Sequence, residues 1–149
     1  MNNDVLKKEL ELLKLPNEAA QWLASLYDVI QSFDDVKDED KLEDQQLYEL
    51  IFNSMIAMPT NSFYINNMGG LATLVNLLIL KWIASNNLEE SGKANPQSYV
   101  WRASYFDVVL HVVFLSKGFA FAKNNAHIIL SLYGESLEDY LKEFEKCQI

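Results

Sequence analysis

Apolar residues recur at spacings of three and four along most of the chain, which is the period of an amphipathic helix. Proline, glycine and capping residues divide this pattern into seven predicted helical segments, the last one short. Pro16 interrupts a first helix, and a second begins at Asn17. Pro59 stops a third over about 42–57, and Thr60, Asn61 or Ser62 can cap the fourth, which ends near 86–87. A fifth covers about 96–117 and a sixth about 119–133, and Ser136 with Asp139 resembles a capping box that opens the final short helix.

The fifth segment has the strongest pattern. Between Tyr105 and Leu115 it is apolar on nearly every side, which is typical of a helix in the middle of a bundle. Asn95 and Pro96 provide a start signal, and Gly118 provides an end signal. We therefore predict one central helix here.

The longest apolar run belongs to the fourth segment and covers residues 71–83. It is interrupted by Thr73, Asn76 and Lys81. A helix that spans a membrane needs about 20 apolar residues. The run therefore predicts a core helix.

Composition agrees with a helical globular protein. The chain has 149 residues, of which 50% are hydrophobic and 22% are charged, with only 5 glycines and 3 prolines for turns. Its single cysteine, Cys147, excludes a disulfide framework and a cysteine-based zinc cluster. We predict an all-α fold, a compact bundle of about six or seven helices that forms a single domain over residues 1–149.

The charge balance narrows the range of partners. A net charge of −9 provides no basic surface for the phosphates of a nucleic acid or for an anionic membrane. The N-terminal residues lack the features of a secretory signal. These observations predict a cytoplasmic protein that binds neither nucleic acid nor membrane.

Acidic residues are concentrated at positions 34–44, where seven of them stand beside two lysines. One interpretation is a solvated loop followed by an acid-rich first helical turn. The other is a docking patch for a basic partner, a cation site or a partial mimic of nucleic-acid charge. The segment lacks the central glycine of an EF-hand loop.

Three polar residues share one stripe of the fifth segment. Ser104, Asp107 and His111 stand at i, i+3 and i+7, so that Asp107 and His111 are one turn apart. Such a pair can perform acid–base chemistry, or it can form a buried hydrogen bond that specifies packing. Both residues are predicted to face inward, with His111 bonded to Asp107 or to a backbone carbonyl. No metal site or cofactor is predicted.

Aromatic residues and an arginine are grouped near the same helix. Trp101, Arg102 and Tyr105 stand at its start, and Trp82 closes the fourth segment. Together they are candidates for a pocket in which the guanidinium binds a carboxylate or phosphate. For a hydrolase site around Asp107, His111, Arg102 and Trp101, the candidates for a further carboxylate are Glu89, Glu90 and Glu135. Alternatively, the tryptophans edge the core and Arg102 pairs with an acid to hold helix ends together.

Two resemblances concern function. The sequence around Asp107 and His111 resembles one metal-binding helix of the all-α nucleotide pyrophosphohydrolases of the MazG and dimeric dUTPase type. The position of the expected acid is Ser104, however, and no Glu-x-x-Glu pair precedes it. Residues 58–105 are similar to small uncharacterised all-α proteins of phages and mobile genetic elements, a resemblance that implies an accessory protein without a defined activity.

No complete catalytic motif is present in the sequence: a nucleophile elbow, a P-loop, a dinucleotide-binding fingerprint and a zincin motif are all missing. The sequence therefore predicts a helical protein-interaction module that binds a protein partner or itself, most simply as a homodimer. The alternative is a small-ligand-binding protein or a metal-dependent nucleotide hydrolase with a pocket around Asp107, His111 and Arg102.

Overall fold

The computed structural model describes residues 3–145, and every element in that range is helical. Cys147 lies outside the described residues. The elements are α1 (Asn3–Leu12), α2 (Asn17–Lys37), α3 (Asp44–Phe52), a π turn (Asn53–Ala57), α4 (Met58–Thr60), α5 (Ser62–Asn66), α6 (Met68–Glu90), α7 (Pro96–Arg102), α8 (Tyr105–Lys117), α9 (Phe119–Leu130) and α10 (Leu137–Glu145).

The all-α prediction is confirmed, with more helical elements than the sequence pattern suggests. The chain divides into two compact units, an N-terminal unit that ends at Met68 and a C-terminal unit that begins at Gly69. Each unit is described by itself below. The prediction that residues 1–149 form one domain stays a prediction.

The core of the N-terminal unit forms where α1 and α2 pack together. Leu6 and Leu10 of α1 are buried, and so are Trp22 and Leu23 of α2. The indole of Trp22 stacks on the ring of Tyr64 in α5, with centroids 5.5 Å apart and planes inclined by 11°. This stack fixes α5 against α2.

Asn61 joins the same two helices through its side chain. Its Oδ1 accepts a hydrogen bond from the backbone N–H of Tyr64 at 3.0 Å and so caps α5. Its Nδ2 donates to the backbone carbonyl of Glu18 at 2.9 Å. The candidate cap at Asn61 is therefore confirmed.

The third predicted helix continues past the proline that was expected to stop it. Helix α3 runs into the π turn and then into α4, which contains Pro59. In a regular α-helix the ring of a proline clashes with the carbonyl four residues earlier. A π turn shifts the hydrogen bonds to residues five apart and widens the helix. The wider turn immediately before Pro59 thus allows the chain to stay helical.

Burial affects one carboxyl group of this unit. It raises the pKa of Asp28 above the ordinary aspartate value, with Glu49 adding to the shift and Lys7 opposing it. Because the carboxyl binds its proton more tightly in the folded chain, ionisation weakens folding. The stabilisation is complete below the ordinary pKa and is lost as the pH rises through the folded pKa.

We therefore expect Asp28→Asn to raise the melting temperature near neutral pH. The gain should disappear below about pH 3, where the carboxyl is protonated in both states. Thermal unfolding followed by circular dichroism over this pH range measures the effect. Asp40→Asn, in an exposed loop, is the control. A lower melting temperature for Asp28→Asn at neutral pH would contradict the expectation.

In the C-terminal unit, helix α6 is less buried than a core helix. Its buried residues are Leu71, Leu78, Ser85 and Asn86. The prediction of a core helix is therefore wrong for most of its surface. By length and composition alone α6 would be able to cross a membrane, and 17% of its most apolar window is buried.

Helices α7 and α8 replace the single fifth helix of the prediction. The chain turns at Ala103 and Ser104, where the Ser104 hydroxyl donates to the backbone carbonyl of Trp101 at 2.6 Å. This local bond competes with the helical pattern and marks the break. The start signal is confirmed, because Asn95 and Ser98 form a reciprocal capping box with bonds of 2.9 Å.

The centre of the C-terminal unit is α8, as its apolar pattern predicts. Val108, Val109, Val112 and Val113 are all fully buried. Gly118, at a φ of 85°, then turns the chain directly into α9, which packs along α8. Glycine adopts this positive φ without strain because it has no Cβ.

Candidate functional site

A carboxylate, Glu89, organises the polar interior of the C-terminal unit. Its side chain is 8% exposed and accepts from the Arg102 guanidinium at 3.1 and 3.2 Å. The same carboxylate accepts from the hydroxyls of Ser85 at 3.0 Å and Tyr140 at 2.7 Å. Three elements, α6, α7 and α10, therefore meet at one buried charge.

The polar side chains around Glu89 make further hydrogen bonds to one another. Arg102 also donates to the Asn86 side-chain oxygen at 3.2 Å, and the Tyr140 hydroxyl lies 2.7 Å from the hydroxyl of Ser98. The Ser85 hydroxyl lies 3.1 Å from the backbone carbonyl of Ser98. We call these residues the Glu89 network (Ser85, Asn86, Glu89, Ser98, Arg102 and Tyr140).

Two tyrosines in this region are kept neutral. Burial raises the pKa of Tyr140 to about 12, with Glu89 adding to the shift and Ser98 opposing it. Burial also raises the pKa of Tyr133, and its hydrogen bond to Glu135 adds to that shift. Neutral hydroxyls act here as hydrogen-bond donors to carboxylates, which is a structural role.

The Glu89 network confirms the structural interpretation of Arg102, since the guanidinium pairs with an acid and joins α7 to α6. The sequence indicated Glu89 only as one possible carboxylate. No sequence pattern indicated that Tyr140 bonds to Glu89, because the two residues lie 51 positions apart along the chain.

A second feature of this unit is an open groove between α8, α9 and the start of α6, with a volume of about 390 Å³. Its walls are mostly apolar, and Asp107, His111 and Lys123 are its polar members. The His111 ring stacks on Phe114 with centroids 5.8 Å apart. It also lies against α6, where a Cβ added to Gly70 would be only 3.2 Å from Nε2. The absence of a side chain at Gly70 therefore makes room for the imidazole.

The expectation that Asp107 and His111 form a buried pair is wrong. The Asp107 side chain is 48% exposed and pairs instead with Lys81 of α6 at 3.3 Å. His111 is half-buried and makes no hydrogen bond with any residue in the described part of the chain. The two residues share the groove but do not bond to each other.

The six residues that the sequence proposes as lining a ligand pocket lie in different parts of the C-terminal unit. Arg102 belongs to the Glu89 network, whereas Asp107 and His111 line the groove. Tyr105 is buried and packs edge-on against Phe106, with centroids 5.2 Å apart. Trp82 and Trp101 are partly buried.

The environments of the two histidines predict different responses to substitution. We expect His111→Ala to destabilise the protein by about 1 kcal/mol, because it removes the ring that packs on Phe114 and Gly70. His127 is exposed, and His127→Ala should change the free energy of unfolding by less than about 0.5 kcal/mol. Chemical denaturation of both variants gives the comparison. Equal losses would contradict the packing role of His111.

The acidic segment 34–44 divides among three structures. Its first four residues form the last turn of α2, residues 38–43 form a loop, and Asp44 is in the first turn of α3. Glu39 adopts a positive φ of 64° in the turn. Asp35 accepts from the side chain of Gln46 at 2.8 Å. The interpretation as a loop is therefore correct only for residues 38–43, and of the segment's seven acids only Asp44 is in the first turn of α3.

Apolar surface is the most unusual property of the molecule. Among the described residues, 23 large hydrophobic side chains are exposed, whereas 20 hydrophobic residues are buried. Scattered exposed apolar residues are normal, but contiguous patches indicate interaction sites. One patch lies on α3 and the π turn and is here named the α3 ridge; it consists of Leu47, Tyr48, Ile51, Phe52, Met55 and Ile56.

A second exposed face runs along α6, opposite its buried residues. Its positions follow alternating spacings of four and three, the repeat of a coiled-coil interface. We name this face the α6 seam; it consists of Gly69, Thr73, Asn76, Leu80, Ile83 and Asn87.

Comparisons with protein families, with curated proteins and with solved structures find no match to this chain. Within residues 3–145 no group of three or more His, Cys, Asp or Glu side chains is placed to hold a metal ion.

Proposed function

We propose that this protein is a helical interaction module that acts through protein contacts and associates with itself. One observation carries the proposal, namely that the described chain exposes more large apolar side chains than it has buried hydrophobic residues. Burying apolar area gives about 25 cal/mol per Å². A second protein surface is the simplest way to cover a contiguous apolar patch.

The α3 ridge supports this function because its exposed side chains are contiguous. Tyr48, Phe52 and Met55 are 61%, 56% and 69% exposed. Aromatic residues and methionine are enriched in the centres of protein interfaces. The ridge is also free of charge at these positions, although the whole chain carries −9.

The first experiment measures the mass of the full chain by light scattering after size exclusion, over a wide concentration range. We expect oligomers that grow with concentration and with salt, because salt screens the repulsion between acidic copies. Phe52→Glu should lower the mass at a given concentration. Leu12→Glu is the matched control, because Leu12 is 73% exposed and lies off the ridge. A monomer under all conditions would refute self-association.

A second candidate function concerns the groove at His111. The His111 imidazole and the Lys123 ammonium flank an apolar wall that includes Phe114 and Phe119. In the described chain neither His111 nor Lys123 has a hydrogen-bonding or ionic partner. An ammonium and an imidazole N–H beside aromatic rings suit a small organic acid with an apolar body. Arg102 is held by Glu89, so the support is for ligand binding rather than for a hydrolase.

Thermal shift distinguishes this candidate from the first. Aromatic and aliphatic carboxylates should raise the melting temperature if they bind the native state, and nucleotides with Mg²⁺ test the hydrolase alternative. Lys123→Gln should remove a shift that depends on the carboxylate. The absence of any shift would leave the interaction module as the better proposal. An accessory role in phages or mobile elements and a cytoplasmic location remain predictions.

A further inference from the structure

We infer that the groove between α8, α9 and the start of α6 binds a monocarboxylate with an aromatic body and fixes the direction in which this ligand lies. The carboxylate binds Lys123 and His111, and the ring packs between Phe114 and Phe119. This inference rests on the ligand-binding candidate proposed above and is independent of self-association. It names the orientation of the ligand, its number of charges and a glycine that positions the imidazole.

The residues that line the groove are ordered along it. The chain reverses at Gly118 and α9 packs back along α8, so residues at similar distances from Gly118 in the sequence lie at similar levels. Phe114 and Phe119 stand nearest to Gly118, and His111 and Lys123 stand farther from it on their two helices. The groove therefore has an aromatic end and, one helical turn or ~5 Å away, two nitrogen groups. Its volume of about 390 Å³ is large enough for a single-ring ligand.

Both nitrogen groups are able to donate to a carboxylate. The ammonium of a lysine has three N–H donors, and the imidazole of a histidine has at least one. In the described chain no hydrogen-bonding or ionic partner occupies the side chain of either Lys123 or His111. A hydrogen bond from an ammonium to a carboxylate is charge-assisted and is roughly twice as strong as one between neutral groups. A ligand carboxylate therefore supplies the acceptor that both side chains lack.

Charge in this part of the chain favours an anion. Helices α8 and α9 contain two lysines and a single acid, Asp107, although the whole chain carries −9. Lys81 binds the Oδ2 of Asp107 at 3.3 Å and offsets part of its negative charge. Asp107 is also the one acid among the described residues that line the groove. The ammonium of Lys123 therefore attracts an anion here without an opposing cluster of acids.

The position of Asp107 limits the ligand to one negative charge. This residue stands farther from Gly118 than His111 does, so it lies at the end of the groove opposite the aromatic rings. Its side chain is 48% exposed, and its Oδ1 has no hydrogen-bond partner in the described chain. A second ligand carboxylate beside the first would approach this oxygen, and like charges repel. A dicarboxylate or a nucleotide should therefore bind more weakly than a monocarboxylate.

Gly70 positions the imidazole from the side of α6. A Cβ at this position would lie 3.2 Å from Nε2 of His111, so an alanine here would displace the ring by a few tenths of an ångström. Because the ring stacks on Phe114 with centroids 5.8 Å apart, its displacement also changes the wall of the groove. Gly69, the preceding residue, differs, because a Cβ there would meet nothing within 4 Å. The two glycines therefore form a matched pair for an experiment.

Titration of the full chain with hydrocinnamate, followed by proton–nitrogen correlation NMR, locates the ligand and measures its affinity. The linker of hydrocinnamate spans the distance between the aromatic end of the groove and the nitrogen groups. We expect the amide signals of α8, α9 and the start of α6 to shift. Hydrocinnamamide, which has the same shape without the charge, should bind about tenfold more weakly because it lacks the charge-assisted hydrogen bonds. Benzylmalonate, which carries a second carboxylate beside the first, should also bind more weakly than hydrocinnamate.

Two pairs of variants test the residues named here. Lys123→Gln is expected to weaken the binding of hydrocinnamate about tenfold. Lys117→Gln removes the same charge from a lysine that lies 5.9 Å from the ring centre of Phe121, outside the groove, and should leave the affinity unchanged. Gly70→Ala should weaken binding several-fold without unfolding the chain, since alanine has a higher helix propensity than glycine. Gly69→Ala changes helix propensity equally and should leave the affinity unchanged.

The possible outcomes separate this inference from the proposals above. No binding of any of the three compounds would overturn the ligand-binding candidate together with this inference, whereas self-association is measured separately by light scattering. Signals that shift only in other helices would place the ligand outside the groove and would refute the inference. Equal affinities for hydrocinnamate and hydrocinnamamide, or for Lys123→Gln and Lys117→Gln, would overturn the carboxylate site while binding in the groove stands. Benzylmalonate that binds as tightly as hydrocinnamate would overturn the limit to one charge, and an unchanged affinity in Gly70→Ala would overturn the positioning role of Gly70.

Discussion

Glu89→Ala is expected to destabilise the protein by about 3 kcal/mol, because breaking a buried ion pair leaves an uncompensated charge. In this variant the Arg102 guanidinium, whose side chain is 19% exposed, keeps only its bond to Asn86 among the contacts of the Glu89 network. The hydroxyls of Ser85 and Tyr140 each lose one acceptor and keep only the one that Ser98 provides. Urea unfolding followed by circular dichroism gives the change in free energy.

The control for this prediction is Glu138→Ala, which removes an exposed ion pair with Lys142 at 2.6 Å. Its cost should be about 0.3–0.5 kcal/mol. A double variant, Glu89→Ala with Arg102→Ala, should be more stable than Glu89→Ala alone, since it also removes the guanidinium that has lost its carboxylate. Equal losses for Glu89→Ala and Glu138→Ala would show that the Glu89 network adds no stability.

Trp22→Ala is the other substitution with a large expected effect, about 3–5 kcal/mol. The indole is 1% exposed and stacks on Tyr64, so its removal opens a cavity between α2 and α5. Differential scanning calorimetry of the variant measures the loss. Tyr48→Ala, which removes an aromatic ring that is 61% exposed, should cost much less.

Trp22→Phe separates packing from hydrogen bonding at the same position. The indole Nε1 of Trp22 is buried without a hydrogen-bond partner in the described chain, and such a donor costs about 1–3 kcal/mol. Phenylalanine removes the donor and keeps an aromatic ring for the stack. We therefore expect Trp22→Phe to lose less than half as much stability as Trp22→Ala. Equal losses would show that the indole N–H carries no penalty.

Local signals in the sequence predicted local structure well. The caps at Asn61, Asn95 and Ser136 are all formed, the last by a bond from the backbone N–H of Asp139 to the Ser136 hydroxyl at 3.1 Å. Each cap joins residues three apart, so the sequence contains both partners. The break between α7 and α8 was missed because Ser104 is polar within a helical pattern and its bond to the Trp101 carbonyl cannot be read from spacing.

The sequence pattern could not predict contacts between residues that lie far apart along the chain. The bond between Glu89 and Tyr140 depends on where α10 packs, and no periodicity encodes that position. Asp107 was expected to pair with His111 because the two are one turn apart. The ammonium of Lys81, on another helix, binds the carboxylate instead. A helix that is apolar on nearly every side does not reveal which way its few polar residues face.

Helix α6 shows another property that hydrophobic periodicity cannot predict. Periodicity identifies an apolar helix but does not say which of its faces are covered, and α6 has two suitable faces. The seam was not recognised because Gly69, Thr73, Asn76 and Asn87 do not count as hydrophobic. Its repeat becomes visible only when exposure is known. The ridge on α3 was missed for a different reason. The spacing of Leu47, Leu50, Ile51 and Met55 predicts a buried stripe, but of these four only Leu50 is buried.

The position of Ser98 has a consequence for local unfolding. Its side chain closes the capping box of α7 and also lies beside the Tyr140 hydroxyl of α10. Detachment of α10 therefore removes a neighbour from the residue that holds the first turn of α7. The opening of these two helices is coupled, so their slowest amides should exchange with solvent deuterium as one cooperative unit, and Ser98→Ala should make them exchange separately.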